Sequence, residues 1–243
     1  MGYFKIVTDY LKHQLRYRTD RRAWKKAGGK ITHRYKIIYD YGDQAGEAKG
    51  HYFHQDLLVA QLVHQNQPRR HIDVGSRVDG FVAHVAAFRQ IEIIDIRPLM
   101  VSTNENINYR QADMMKAGTQ LPCADSVSCL HALEHFGLGR YGDPIDLEGH
   151  KKGFMNLVQM VEPDGRLYVS FPIADANEVH FNAHRIFKPD EIFSWPGAEL
   201  LKLQRFDMVD DKGDLLTDLP ISAVKFPLRY GCGIYSFVRL LDS

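Results

Sequence analysis

Cysteine is scarce. The 243 residues hold three, Cys123, Cys129 and Cys232. An odd, widely spaced set gives no disulfide framework and points to a reducing compartment, so a cytoplasmic setting is expected. No C-x-x-C pair offers a structural zinc site, and no metal ligand is assigned. Nowhere does an apolar run reach the roughly 18 residues a membrane span needs. The N-terminus lacks a continuous apolar stretch, so no signal peptide is expected. Internal repeats and low-complexity tracts are also missing, which excludes solenoids and linker-like tails.

Net charge is low as well, at +1, but it is unevenly spread. Residues 1–36 carry eleven Lys/Arg against two Asp, a net +9 that leaves −8 on the rest. Residues 3–26 read as a helix with Phe4, Val7, Leu11 and Leu15 on one stripe and basic residues around it, ended by the "AGG" at 27–29. Such a helix either covers an acidic body or lies on anionic lipid at the inner membrane face. Little else resembles base recognition, so no nucleic-acid partner is expected.

The hydrophobic content, 44%, is enough to build a core. The expected organisation is a basic helical segment, 1–50, and an α/β domain, 51–243. Residues 35–41 read as a short strand and 56–63 as a helix. An alternation follows: strand 70–75, helix 79–88, strand 91–96, strand 126–133, helix 150–161, a turn at 162–165, strand 166–173, and strands in 200–211 and 233–241. Strands alternating with helices predict a doubly wound, mostly parallel sheet with ligands at the carboxyl ends of its strands.

The segment "HALEH", His131 to His135, fits H-x-x-E-H, a zinc-peptidase signature. That chemistry needs a stable helix to hold both histidines. Here a β-branched stretch, "SVSCL", precedes the motif, and "FGLGRYGDP" follows with three glycines and Pro144. The motif belongs where a strand becomes a loop, and the peptidase reading fails.

The order of a glycine turn after the first strand, an acidic end to the second, and "HALEHF" at the fourth resembles class I S-adenosylmethionine-dependent methyltransferases. "MNLVQMVEPDGRLYVSFP" is similar to that family's helix, Pro-Gly turn and fifth strand. A closer resemblance, carried by "HIDVGSRVDGFVAHV", "HALEHFGLGRYGDPID" and "FNAHRIFKP", is to domain of unknown function 268, which has no established reaction. Together they imply a Rossmann-like seven-stranded sheet with helices on both faces. They also imply S-adenosylmethionine as cofactor. By this resemblance Asp73 meets the methionine amino group, with Gly75, Ser76 and Gly80 forming the loop. Asp95 holds the ribose hydroxyls, Ile96 and Arg97 flank the nucleoside, Asp113 reaches the adenine amino group, and His131 borders the cofactor. The loop departs from the usual "GxGxG": it reads "GSRVDG", with Arg77 where a second glycine is expected.

A base beside the sulfonium is expected from His131, Glu134, His135 or His184. Arg140, Tyr141, His180, Asn182 and Arg185 are the candidate acceptor-binding residues, and Arg forks suit phosphate or carboxylate. The expected activity is methyl transfer, to oxygen before nitrogen, on a small or glycan-linked anionic acceptor, consistent with glycan biosynthesis. The rival readings are a nucleotide- or sugar-phosphate enzyme without a methyl donor and a non-catalytic scaffold on the same fold.

Overall fold

The computed structural model describes residues 2–100, 104–116 and 121–241. The chain divides into two compact units, Met1–Ala48 and Lys49–Ser243.

The first unit holds α1 (Gly2–Lys26), whose last turn places Lys25 and Lys26 at the negative end of the helix dipole. Gly28, at φ 88, ends it. Val7, Leu11 and Leu15 are 45, 56 and 62% exposed; the Phe4 side chain lies outside the described residues. Residues 35–41 form no strand. A lone strand has no ladder to complete. This segment instead meets α1 through aromatic rings, with Tyr39 stacked on Tyr10 and Arg16 lying 4.4 Å from the Tyr41 ring centroid.

The second unit opens with α2 (His51–Asn66) and builds a sheet from β1 (His71–Val74), β2 (Ile91–Asp95), β3 (Ile107–Gln111), β4 (Ala124–Leu130), β5 (Val161–Ile173), β8 (Leu201–Val209), β9 (Leu215–Leu216) and β10 (Gly231–Arg239). The order is β3-β2-β1-β4-β5-β10-β8-β9. The first five strands run parallel, and β10 inserts antiparallel between β5 and β8. Eight strands stand where seven were expected, because the two-residue β9 adds an edge to β8. A separate hairpin pairs β6 (Glu178–His180) with β7 (His184–Ile186).

Sequence and structure differ at two further points. Residues 79–88 are not one helix. Val78–Val82 forms a π turn broken at Gly80, and only Ala83–Ala86 (α3) is α-helical. The expected 162–165 turn exists, but as a bulge inside β5: Asp164 sits at φ 63, and the β4–β5 register jumps between Ala124 and Ser126.

Both faces of the sheet are covered. Val59, Val63, Phe81, Val85, Ile91 and Ile93 pack on one side with Leu130 and Ile234. On the other, Phe154, Leu157 and Val158 of α4 (Gly149–Met160) pack with Ile72, Val127, Cys129 and Val169. Each such side chain, fully buried, contributes about 1.5–3 kcal/mol. α4 also seats the site. A Cβ on Gly149 would stand 2.9 Å from the Phe136 carbonyl, and one on Gly153 would overlap the Phe136 ring. These two glycines, one turn apart, let the loop after β4 settle on the helix.

Candidate functional site

The chain runs outward from β1 to β2 and β3, then returns to β4, so the strand order reverses between β1 and β4. Ligands in such sheets bind at that reversal. A cavity of about 350 Å³ opens there, lined by residues from the loops after β1, β2, β3 and β4 and by Tyr52, His184 and Tyr230. That volume lies within the range of small-molecule sites.

The turn after β1 faces mostly inward. Asp73 is fully buried; its Oδ1 accepts from the hydroxyls of Ser76 and Ser128 (both 2.6 Å), and its Oδ2 from the Ser76 N–H (3.1 Å). Ser128 in turn contacts His71 Nε2 (3.2 Å), and His71 Nδ1 lies 2.7 Å from Ser126 Oγ. Burial pushes the Asp73 carboxyl up to about 7, against its three donors, and pushes His71 down to about 3. Asp73 is therefore a tie between β1 and β4 and does not line the cavity, contrary to the sequence expectation. Ser76 is part of the same tie, its oxygen accepting from Leu130 N–H (3.0 Å). Gly80 is also absent from the cavity: a Cβ there would collide with the buried Asp56 carboxylate of α2, so the glycine accommodates a helix rather than a ligand. Gly75 does line it, at φ 72, where a Cβ would stand 2.9 Å from that of Ala132. Arg77 lines it too, paired with Asp79 (2.9 Å) and 4.9 Å from the Tyr52 ring centroid.

Asp95, Ile96 and Asp113 line the same cavity. Asp95 is engaged already: Arg97 donates to it through its backbone N–H (2.8 Å), Nε (3.0 Å) and Nη2 (2.5 Å). A carboxylate has about four lone-pair positions, so one remains on Oδ2. Asp113 closes its own turn by accepting from Met115 N–H (2.9 Å).

Residues Leu133–His135 form a single 3-10 turn, not an α-helix. All four expected bases, His131, Glu134, His135 and His184, reach the cavity. His131 takes a positive φ of 51, and its Nδ1 lies 2.8 Å from Glu134 Oε1. Burial opposes charge on His131 most strongly, yet Cys232 and the Glu134 carboxylate, through charge and hydrogen bonding, together outweigh it and hold its pKa well above the ordinary value. Burial likewise works against charge on Glu134, and His131 overcomes it to keep that carboxylate below its usual range. His135 Nδ1–H donates to the Ala183 carbonyl (2.7 Å), which leaves Nε2 with the lone pair. Burial lowers the pKa of both His135 and His184. Near neutral pH the site thus holds one ion pair and two neutral imidazoles.

Of the expected acceptor-binding residues, Arg140 and Tyr141 line the cavity and three do not. Arg140 Nη1 donates to Ala183 O (2.9 Å), and Tyr141 lies between Arg97 and Arg140, 4.4 and 5.1 Å from its ring centroid. His180 is exposed and lies 2.8 Å from Glu178; it shares a face of the hairpin with its cross-strand partner His184, ring centroids 5.0 Å apart, but does not line the cavity. Asn182, at φ 64, is the exposed corner of the hairpin. Arg185 is buried and donates to the carbonyls of Phe136 (2.6 Å), Asp146 (3.3 Å) and Leu147 (3.4 Å). It ties down the loop instead of meeting substrate. Asp143 ties the same loop from inside, accepting from Gly137 N–H (2.8 Å), Gly139 N–H (3.2 Å) and Tyr141 N–H (3.1 Å).

Sequence reasoning missed Tyr52 and Tyr230. Tyr52 sits in the first turn of α2 and Tyr230 just before β10, and no local pattern marks an aromatic there as cavity-facing.

A family model described as "Caenorhabditis protein of unknown function, DUF268" matches residues 106–192. The match spans β3 to β7 with the histidine turn and its loop, and it agrees with the resemblance read from those motifs. No curated protein matches the chain. Among solved structures, the N-methyltransferase NodS from Bradyrhizobium japonicum WM9 in complex with S-adenosyl-L-homocysteine is similar over 84% of this chain and 93% of that one, with 11% identity and a TM-score of 0.53. A putative sarcosine dimethylglycine methyltransferase from Galdieria sulphuraria is similar over 91% and 98%, with 14% identity and a TM-score of 0.55. The [4+2]-cyclase SpnF is similar over 89% and 91%, with 13% identity and a TM-score of 0.53. At these identities the likeness is one of fold. The second unit has the fold of the class I S-adenosylmethionine-dependent methyltransferases.

Proposed function

We propose that the chain is an S-adenosylmethionine-dependent methyltransferase acting on a hydroxyl of a small or glycan-linked anionic acceptor. The observation that carries this reading is one cavity, at the strand-order reversal, bordered on one side by the Gly75 turn, Asp95 and Asp113 and on the other by two neutral histidines. The cofactor fits these residues. Gly75 brings bare backbone to the cavity, Asp95 Oδ2 keeps an acceptor position for a ribose hydroxyl, and Arg77 offers a cation for a carboxylate where Asp73 is withdrawn. When bound, S-adenosylmethionine supplies an electrophilic methyl group. His135 Nε2, or His184, takes the proton from the acceptor hydroxyl, and Arg140 with Tyr141 draws an anionic acceptor toward that base.

Calorimetric titration with S-adenosylmethionine and S-adenosylhomocysteine tests the reading, on the full chain and on Asp95→Asn. Micromolar binding weakened in the variant supports it. No binding at millimolar ligand overturns it.

A second reading is favoured by Arg77, Arg97 and Arg140 all lining the cavity: a nucleotide- or sugar-phosphate enzyme. Titration with a nucleoside-diphosphate sugar, binding where S-adenosylmethionine does not, selects it.

For the first unit we propose contact with anionic lipid through α1. Its exposed apolar residues and surrounding positive charge support that. Among the described residues, no helix is long and apolar enough to cross a membrane. The full chain should co-sediment with phosphatidylserine vesicles, and the chain lacking residues 1–30 should not. Equal sedimentation removes the proposal.

A further inference from the structure

We propose that His51, His131 and Cys232 form a binding site for a thiophilic divalent metal, with zinc the best fit. They come from the start of α2, the end of β4 and the start of β10, and only the fold brings them together. One ring nitrogen of each histidine and Cys232 Sγ all lie within 4.8 Å of one another. The His131 side chain is 4% exposed, and its Nε2 is buried with no hydrogen-bond partner. A buried nitrogen left unpaired is costly, and a metal would complete it.

The outer contacts have the form that metal-binding histidines use. His131 is fixed through Nδ1 by the Glu134 carboxylate (2.8 Å), which sets the tautomer and raises the basicity of the other nitrogen. The His51 ring is held by the Tyr230 carbonyl, 3.2 Å from its Nε2, and stacks on His131 at 5.3 Å between centroids. Cys232 is free of any disulfide, and its thiol lies 3.7 Å from both Gln55 Oε1 and Gly233 O, beside the His131 ring.

Two of these side chains, Cys232 and His131, could be read with Glu134 as a thiol–imidazole–carboxylate catalytic set. Cys232 is fully buried, so no substrate carbonyl reaches its sulfur. A metal ion needs no such approach. Two imidazoles and a thiolate suit zinc, and three protein ligands leave a fourth position open. His131 also lines the cavity, so the metal would border it. Binding involves no redox change. The Cys232 thiol and the His131 Nε2–H give their protons to solvent as the metal bonds form. The proposal does not depend on the methyl-transfer reading, although the two sites share the His131 edge of the cavity.

The test is a cobalt(II) titration of the full-length protein, stripped of metal and kept reduced with a phosphine. One equivalent should produce a thiolate-to-cobalt charge-transfer band and intense visible bands of four-coordinate cobalt, and zinc should abolish both. Cys232→Ser should lose the charge-transfer band, and Cys123→Ser should keep it. Glu134→Gln should weaken affinity by about 10–100-fold while preserving the band. No band in the unaltered protein, or a band that survives Cys232→Ser, overturns the proposal whether or not any variant folds well.

Discussion

The turns after β1 and β4 face each other across one cavity, yet they are built in opposite ways. After β1 the polar side chains turn inward: Asp73 and Ser76 are used up holding β1 to β4, and Gly75 gives the cavity mainly backbone. After β4 the side chains turn toward the cavity: His131 reaches it just ahead of the 3-10 turn, and Glu134 and His135 from within it. On the proposed reading, one turn lets a ligand come close and the other acts on it. The difference also separates two residues that sequence treats alike. Asp73 and Glu134 are both buried acids, but hydroxyls and an N–H surround the first, while a histidine faces the second.

The sharpest way to break this contrast is to remove the bases. His135→Ala and His184→Ala, made separately, should leave S-adenosylmethionine affinity within a few-fold of the parent. At least one should lower methyl transfer by about 100–10,000-fold, the usual worth of a general base. Turnover is followed with labelled donor. Unchanged turnover in both variants removes the base assignment and leaves the β4 turn a structural feature.

Much of the second unit was legible because its strands are short apolar runs ended by glycine or proline. The alternation predicted β1, β2, β4, α4 and the later strands. β3, with its exposed "INYRQ" pattern, was not legible, because its neighbour β2 stabilises it more than its own composition does. Residues 35–41 failed for the converse reason: strand-like composition without a partner. At the site, local motifs found the β4 turn and Asp95. They misplaced Arg185, because a buried guanidinium serving backbone carbonyls has the same sequence signature as one awaiting an anion. They assigned no metal, since His51, His131 and Cys232 share no spacing along the chain.

Asp73 offers a second test of the contrast. Its carboxyl is raised to about 7, above its ordinary 3.8, so the folded chain keeps a proton that the unfolded chain releases. This group's contribution to stability should then fall as pH rises from about 4 to 7, by about 4 kcal/mol at most, while His51, His71 and His150, held neutral by burial, contribute in the opposite direction over the same range. Asp56, raised by burial to about 6, acts in the same direction as Asp73 and supplies part of the slope. Asp73→Asn should remove that falling contribution, so that the urea-derived stability of the variant rises more with pH across the window than the parent's, and should leave cofactor affinity within a few-fold. A variant that folds with an unchanged profile but no longer binds would return Asp73 to the ligand side.

Gly153→Ala asks how firmly α4 seats the turn after β4. The added methyl must displace the Phe136 ring, and overpacking of that kind costs about 1–3 kcal/mol. The expected fall in melting temperature is about 2–4 °C per kcal/mol for a chain of this size. Turnover should suffer more than cofactor affinity, since Phe136 follows His135 directly and Gly75 lies elsewhere. Equal losses in both would mean that the two turns move as one body.

The smallest effect belongs to His180, and it is informative for that reason. His180 and His184 pair across the β6–β7 hairpin with ring centroids 5.0 Å apart, but only His184 lines the cavity. His180→Ala should change stability by less than about 0.5 kcal/mol, as exposed substitutions do, and should leave turnover within about twofold. His180 disfavours charge on His184, so its removal should shift the pH profile of turnover slightly upward if His184 is the base and not at all if His135 is. The hairpin therefore distinguishes the two candidate bases without altering either one.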